Sequence, residues 1–152
     1  MRSANYCNDH VIYDLMYAGY GVPSSDSINK LDSDEVFVFG SNVAGRHGKG
    51  AALQAMSFGA KRGIGVGHVG QTYAIPTKDE SLKVLPIRDI KTYVKEFIIY
   101  AKANPNIHFL VTKIGCGLAG YGVDQMAQLF DGAKYVANVH LPLEFVQYLI
   151  KQ

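Results

Sequence analysis

The most informative stretch of the sequence is HFLVTKIGCGLAGYGVDQMAQLF, residues 108–130. An apolar run of strand type (108–114) leads into a loop with four glycines in eight residues (115–122), and a segment of helix type (123–130) follows. Glycine loses more backbone freedom on folding than any other residue, so such a loop is costly to order. We infer a strand, a loop that needs bare backbone, and a helix.

A second segment repeats this pattern. The run EVFVFG (35–40) is typical of a buried strand, SNVAGRHGKG (41–50) is a glycine-rich loop, and AALQAMSFGA (51–60) has helix-forming residues. If both strands are parallel, both loops lie at the carboxyl edge of one sheet. Bare backbone N–H groups and a helix N-terminus would favour an anion there. The alternative is that the glycines only form turns.

The rest of the chain alternates in the same way. QTYAIPT (71–77) and 135–141 are predicted strands, 87–105 is the best predicted helix, and Pro142 begins a last helix. GIGVGHVG (63–70) lacks the side chains that would build a core. Alternating strands and helices predict an α/β domain with a largely parallel sheet.

Residues 1–34 are the least clear part of the sequence. NDHVIYDLMYAGYG (8–21) fits a short helix, but HVIYDLMY (10–17) also fits a strand. The polar, turn-like segment VPSSDSINKLDSD (22–34) follows. We treat 1–34 as an N-terminal extension or an edge element of a single domain spanning 1–152.

Composition narrows the class of protein. The chain has 48% apolar and 18% charged residues, and a net charge of +2 with no basic run, which argues against a nucleic-acid partner. Two distant cysteines, Cys7 and Cys116, form no disulfide framework and suggest a reducing compartment. The sequence has neither a zinc-type Cys/His cluster nor an apolar run long enough for a signal peptide or a membrane span. We expect a cytoplasmic protein with no metal and no membrane partner.

Four blocks of sequence carry a resemblance to a known family: FGSN (39–42), AGRHGKGAA (44–52), YAIPTKD (73–79) and IGCGLAGY (114–121). Over about residues 35–130 the chain resembles the macrodomain superfamily, and it looks closest to small bacterial or phage-type members. The resemblance implies a three-layer α/β/α sandwich with a mixed, largely parallel sheet. It also implies binding of ADP-ribose or a related nucleotide, and a host cytoplasm if the protein is of phage origin.

The resemblance assigns ligand-binding roles to both loops. Asn42 matches a residue that bonds the distal ribose, and Tyr121 matches the aromatic residue beside that ribose. The residues implied to bind ligand are Gly40, Ser41, Asn42, Gly48, Gly50 and Ala51 in the first loop, and Gly115, Cys116, Gly117, Leu118, Ala119, Gly120 and Tyr121 in the second. No cofactor is implied.

Three residues are candidates for catalysis. Asn42 would orient a water molecule or a ribose hydroxyl, although such an asparagine can also close its own loop. His47 or Asp79 would move the proton, but His47 could equally be an exposed loop residue and Asp79 part of an exposed connector. For Cys116 we favour packing over nucleophilic attack, because no base partner is identifiable.

The sequence departs from the family at two places. The family's acidic residue that recognises the adenine amino group has no match here, and Asp14 and Asp26 are candidate substitutes that fit no motif. The asparagine motif is GSN rather than NAAN. The predicted function is ADP-ribose binding with hydrolysis of a derivative, as an ADP-ribose 1″-phosphate phosphatase or an ADP-ribosyl hydrolase. The alternative is a non-catalytic module that reads or sequesters a free nucleotide or an ADP-ribosylated protein.

Overall fold

The computed structural model describes residues 4–7 and 18–152. Its five strands are β1 (Glu35–Asn42), β2 (Gly67–Val69), β3 (Thr72–Lys78), β4 (His108–Val111) and β5 (Val139–His140). They form one sheet in the order β2-β3-β1-β4-β5. Strand β1 is parallel to β3 and β4, β4 is parallel to β5, and only β2 runs antiparallel to its neighbour β3. The predicted mixed, largely parallel sheet is confirmed.

Helices cover both faces of the sheet. They are α1 (Gly50–Met56), α2 (Ile87–Ala103), α3 (Val123–Ala127) and α4 (Leu143–Ile150), with a 3-10 helix (Gln128–Ala133) after α3. Alternate side chains of β1 point to opposite faces, as the pleat requires. Val36 and Val38 pack in the cluster that includes α2, α3 and α4, whereas Phe37 and Phe39 pack against α1. The predicted α/β sandwich therefore has its middle strand buried on both sides.

Helix α2 agrees closely with its predicted pattern. Ile90, Val94, Phe97, Ile98 and Ala101 are all buried, and they form the stripe that the sequence spacing indicates. The helix ends where Asn104 donates its backbone N–H to the carbonyl of Ala101, one residue before a proline.

Several predicted boundaries were wrong. The glycine-rich segment 63–70 contains β2, which pairs with β3 as a hairpin. The strand expected over 135–141 shrinks to Val139–His140, because Tyr135 has a left-handed backbone and the Asn138 amide donates to three carbonyls at the end of α2 and just beyond it. The strand expected to reach 114 ends at Val111, and the helix expected over 123–130 becomes 3-10 after Ala127.

Among the described N-terminal residues, Tyr6 and Ser24 lie near β5, where Tyr6 contacts the His140 ring and Ser24 donates its backbone N–H to the Leu141 carbonyl. Ser24 makes isolated bridges to Tyr6 and to Pro142, and its hydroxyl donates to the Val111 carbonyl at 2.8 Å. The alternative helix and strand predictions for 8–21 fall mostly on residues 8–17, which lie outside the described residues. Among the helices in the described ranges, none combines the length and the apolar character that crossing a membrane requires.

Candidate functional site

A cavity of about 720 Å³ lies at the carboxyl ends of β1, β3 and β4. Both glycine-rich loops line it, as expected if two parallel strands end at the same edge. From the first loop the lining includes Gly40, Ser41, Asn42, Gly48, Gly50 and Ala51, and from the second it includes residues 115–119. The structure thus brings together eleven of the residues that the sequence predicted to bind ligand.

The charged residues in the wall of this cavity are all basic. Arg46, Lys49, Lys78 and Lys113 line it, and its described lining contains no aspartate or glutamate. The helices that follow the two loops have only seven and five residues. The field at a helix terminus is the sum of aligned peptide dipoles, so helices this short contribute little of it. The side-chain cations are therefore the main source of positive charge in the cavity. The sequence pattern pointed first to bare backbone N–H groups and helix termini, with Arg46 and Lys49 as further candidates for pairing with phosphate.

Asn42 lies at the end of β1 and holds the first loop closed. Its amide nitrogen donates to the carbonyl of Arg46 at 2.8 Å, and its amide oxygen accepts the backbone N–H of Arg46 at 2.8 Å. The side chain is buried and still lines the cavity. An amide has two N–H donors and two acceptor lone pairs, so one donor and one acceptor remain available after these bonds. Loop closure is therefore the observed role of Asn42, and contact with a ligand stays a prediction.

His47 lies outside the cavity lining. It is only 2% exposed, its ring stands edge-on to Phe39, and its Nε2 lies 3.1 Å from the Ile64 carbonyl. The alternative that His47 is an exposed loop residue is wrong, because the side chain is buried. Its role as a proton carrier stays a prediction that this geometry does not support. Its ring instead ties the first loop to residues 61–66.

Asp79 also lies outside the cavity lining. Its carboxylate accepts the backbone N–H groups of Ser81 at 2.8 Å and Lys83 at 2.9 Å. These bonds shape the turn that presents Leu82, which has a left-handed backbone (φ 65°) and does line the cavity. The predicted catalytic or ribose-binding role of Asp79 has no support in this geometry; its observed role is to hold a turn.

The second loop ends outside the cavity. Neither Gly120 nor Tyr121 belongs to the lining, and the Tyr121 hydroxyl donates to the Leu85 carbonyl at 2.6 Å. The aromatic ring predicted to flank a ribose therefore anchors the loop to the segment before α2. Leu118, at the tip of the loop, is 69% exposed and is the apolar side chain that this loop offers to a ligand.

Cys116 lines the cavity as a thiol. Burial raises its pKa, the Glu144 carboxylate raises it further, and Lys113 lowers it. Backbone dipoles of a glycine-rich loop can lower a thiol pKa, and the direction at Cys116 is the opposite. Since the thiolate is the reactive form, Cys116 is a poor nucleophile at neutral pH, which agrees with the packing role favoured from the sequence.

The glycines around the cavity serve two purposes. A Cβ on Gly45 would lie 2.4 Å from the Ile64 nitrogen, and one on Gly65 would lie 2.0 Å from the Asn42 carbonyl oxygen. Loops 43–48 and 61–66 therefore pack backbone against backbone. Gly48 and Gly117, in contrast, have no atom within 4 Å of an added Cβ, and both line the cavity. The same holds for Gly50, so these three glycines leave bare backbone available to a ligand.

A second cavity of about 310 Å³ adjoins the first. Ala51, Thr112 and Lys113 line both cavities. Its other walls include the apolar side chains of Phe37, Ile28, Val111 and Pro142. Asp26 contributes a carboxylate. The sequence offered Asp26 only as a substitute, without a matching motif, for the acid that recognises a base. Asp26 lies in this cavity wall two residues after Ser24, which bridges to Pro142.

Sequence reasoning also missed Lys113 as a site residue. It lies at the end of the apolar run 108–114, two residues before the glycine-rich loop, and that adjacency was the available signal. No three His, Cys, Asp or Glu side chains come together as a metal site would require anywhere in residues 4–7 and 18–152.

Comparison with known proteins establishes the fold alone. No protein-family model matches the chain, and no curated protein matches it. A solved structure of a protein of unknown function from Bacteroides thetaiotaomicron is similar, with a TM-score of 0.54 and 18% sequence identity over 74% of this chain and 89% of that one. The architecture therefore recurs in another protein, and that protein carries no stated activity.

Proposed function

We propose that this protein binds a nucleotide of the ADP-ribose type. The observation that carries the proposal is the larger cavity, where four cations and no carboxylate among the described residues line a pocket between two glycine-rich loops. Arginine and lysine side chains form strong, charge-assisted hydrogen bonds with phosphate oxygens. The bare backbone at Gly48 and Gly117 allows a diphosphate to approach closely.

The second cavity supplies a place for the base. Pockets for small molecules usually measure about 300–1,000 Å³, and the two adjoining volumes fall in that range. Apolar walls at Phe37 and Ile28 suit a flat ring, and the Asp26 carboxylate can accept an N–H from an exocyclic amino group. One basic subsite and one apolar subsite with an acceptor match a ligand that has phosphates at one end and a base at the other. The macrodomain resemblance points to the same ligand class.

Binding without turnover is the function that the geometry supports best. His47 and Asp79, the residues predicted to move a proton, both lie outside the cavity lining and bond backbone groups instead. Burial keeps the Cys116 pKa above its ordinary value, so that group is also unsuited to attack. The protein would then sequester a free nucleotide or recognise the same group on a modified protein.

Hydrolysis of an ADP-ribose derivative is a second candidate, and Asn42 is the observation in its favour. The amide lies in the cavity wall, and its loop-closing bonds leave one donor and one acceptor for a water molecule or a ribose hydroxyl. A phosphate on the substrate would have to serve as the base. Positioning by the loops would then provide most of the rate enhancement.

Titration calorimetry with ADP-ribose tests the proposal. We expect a micromolar dissociation constant, about −8 kcal/mol, for the natural chain. Gly117→Glu should abolish the signal, because it puts a carboxylate into the basic cavity at a position where a Cβ meets no neighbouring atom. Lys95→Met, on the exposed side of α2, makes the same change in net charge away from both cavities and should bind normally.

The same samples separate the two candidate functions. Release of inorganic phosphate from ADP-ribose 1″-phosphate, lost in Asn42→Ala with little change in affinity, would favour hydrolysis. Binding without product would favour the binding module. If the natural chain gives no binding signal with ADP-ribose, or if Gly117→Glu folds and binds normally, the proposed function is wrong.

A further inference from the structure

Lys113 lies where the two cavities meet. It lines both of them. Its ammonium nitrogen is 2.7 Å from a Glu144 carboxylate oxygen in α4 and 3.8 Å from an Asp26 carboxylate oxygen. Across the described ranges, no carboxylate lies within 4 Å of Arg46, Lys49 or Lys78, the other cations of the larger cavity. Lys113 is therefore the cavity cation whose charge is shared with acids.

The ammonium group keeps donors for a further partner. A lysine has three N–H donors, and Glu144 takes one of them at 2.7 Å. Asp26 at 3.8 Å is beyond normal hydrogen-bond length, so that contact is an electrostatic one. The hydrogen bond to Glu144 raises the pKa of Lys113, and the group stays charged at neutral pH. A bound phosphate in the larger cavity can accept one of the remaining N–H groups.

The two acids that share this ammonium lie in different surroundings. Asp26 lines the smaller cavity, whereas Glu144 lines neither of them. The side chains of Lys113 and Glu144 are 38% and 50% exposed, so both can change rotamer without unfolding the core. Moving the ammonium toward a ligand would cost part of its bond with Glu144 and would keep it near Asp26.

We propose that Lys113 couples the two subsites and that Glu144 limits how strongly it does so. Lys113 donates to the phosphate nearest the base and also orients the Asp26 carboxylate toward the base. Glu144 competes with the ligand phosphate for the same ammonium. This inference deepens the proposed nucleotide binding and rests on it for the identity of the ligand.

The inference predicts opposite effects for two partners in one ion pair. Lys113→Met removes the donor and the charge and should weaken binding. Glu144→Gln keeps the size of the side chain but removes the competing charge, and it should strengthen phosphate binding. An ion pair with a merely structural role would make both substitutions act in the same direction.

The experiment measures dissociation constants for three probes, ADP-ribose, inorganic pyrophosphate and adenosine, with melting temperature as a check on folding. We expect Lys113→Met to weaken ADP-ribose about tenfold and to weaken the other two probes as well. Lys49→Met, which removes a cavity cation that does not line the smaller cavity, should weaken the two phosphate-bearing probes and leave adenosine unchanged. Glu144→Gln should bind pyrophosphate and ADP-ribose more tightly.

Two results would overturn the inference. Loss of pyrophosphate affinity in both Lys113→Met and Glu144→Gln would make the pair structural. An unchanged adenosine affinity in Lys113→Met would make Lys113 a phosphate contact like Lys49. If ADP-ribose fails to bind while pyrophosphate binds, the proposed nucleotide is overturned instead. In that case, opposite effects of Lys113→Met and Glu144→Gln on pyrophosphate affinity would still support the competition by Glu144.

Discussion

Replacing Gly45 with alanine should destabilise the protein, whereas the same change at Gly48, three residues along the loop, should not. Gly45 has a left-handed backbone (φ 73°), and an added Cβ would lie 2.4 Å from the Ile64 nitrogen and 2.6 Å from the Gly63 carbonyl carbon. Both neighbours are backbone atoms, so no side-chain rotation can relieve the overlap. Around Gly48 an added Cβ meets no atom within 4 Å.

The loss of stability expected for Gly45→Ala is the sum of two unfavourable contributions and one favourable one. A left-handed alanine costs about 1–2 kcal/mol, and forcing a methyl group into packed structure costs about 1–3 kcal/mol. The lower backbone entropy of the unfolded chain offsets about 0.4–1 kcal/mol. The net loss for Gly45→Ala is about 2–4 kcal/mol, which for a domain of this size lowers the melting temperature by roughly 5–15 °C.

Thermal unfolding followed by circular dichroism, together with an ADP-ribose titration, tests this reasoning. Gly48→Ala should melt at or slightly above the natural temperature and yet bind more weakly, because its methyl group enters the cavity. The two variants would thus separate stability from affinity within one loop. If Gly45→Ala melts within about 2 °C of the natural chain, the backbone packing of loops 43–48 and 61–66 is refuted.

Three further predictions concern single side chains. Tyr121→Phe removes the hydrogen bond to Leu85 and should cost about 1 kcal/mol of stability in urea unfolding. ADP-ribose affinity should stay unchanged, because Tyr121 lies outside the cavity lining. A clear loss of affinity would restore its predicted ligand role. Alkylation of Cys116 by iodoacetamide should be slow at pH 7 and speed up as pH rises through its raised pKa, and bound ligand should protect the thiol; rapid alkylation at pH 7 would contradict the burial argument. Burial raises the pKa of Tyr73 to about 12, with a smaller effect from Glu96. The stability that the neutral, buried Tyr73 side chain contributes is complete below about pH 10, the pKa of tyrosine in the unfolded chain, and is lost between about pH 10 and 12. Denaturant unfolding at pH 9 and pH 11, compared with Tyr73→Phe, should show that loss in the natural chain and a smaller one in the variant.

The fold was predictable where burial alone sets the pattern. Strand β1 is covered on both faces and reads as a continuous apolar run, and α2 shows its buried stripe at helical spacing. Strand β2 was missed because Gly67–Val69 lies at the edge and has no core side chains to give it a pattern. The strand over 135–141 was overestimated because the bonds of Asn138 to α2 are long-range contacts that no local pattern reports.

The candidate site was predictable in position and less so in detail. Glycine spacing located both loops correctly, since bare backbone leaves a clear sequence signature. Side-chain direction did not follow from sequence. His47 bonds the Ile64 carbonyl of a neighbouring segment, and Asp79 bonds two backbone N–H groups of its own turn. Asp26 and Lys113 come from distant parts of the chain, and only the folded sheet brings them within 3.8 Å.

The central position of β1 has a consequence for folding kinetics. Its partners β3 and β4 are both parallel, so each pairing must close a long stretch of chain before any hydrogen bond between strands can form. Residues from all three strand ends build the cavity, and therefore no early, local substructure contains it. We expect a nucleotide to lengthen the lifetime of the native state by slowing unfolding, with little effect on the rate at which the chain first folds.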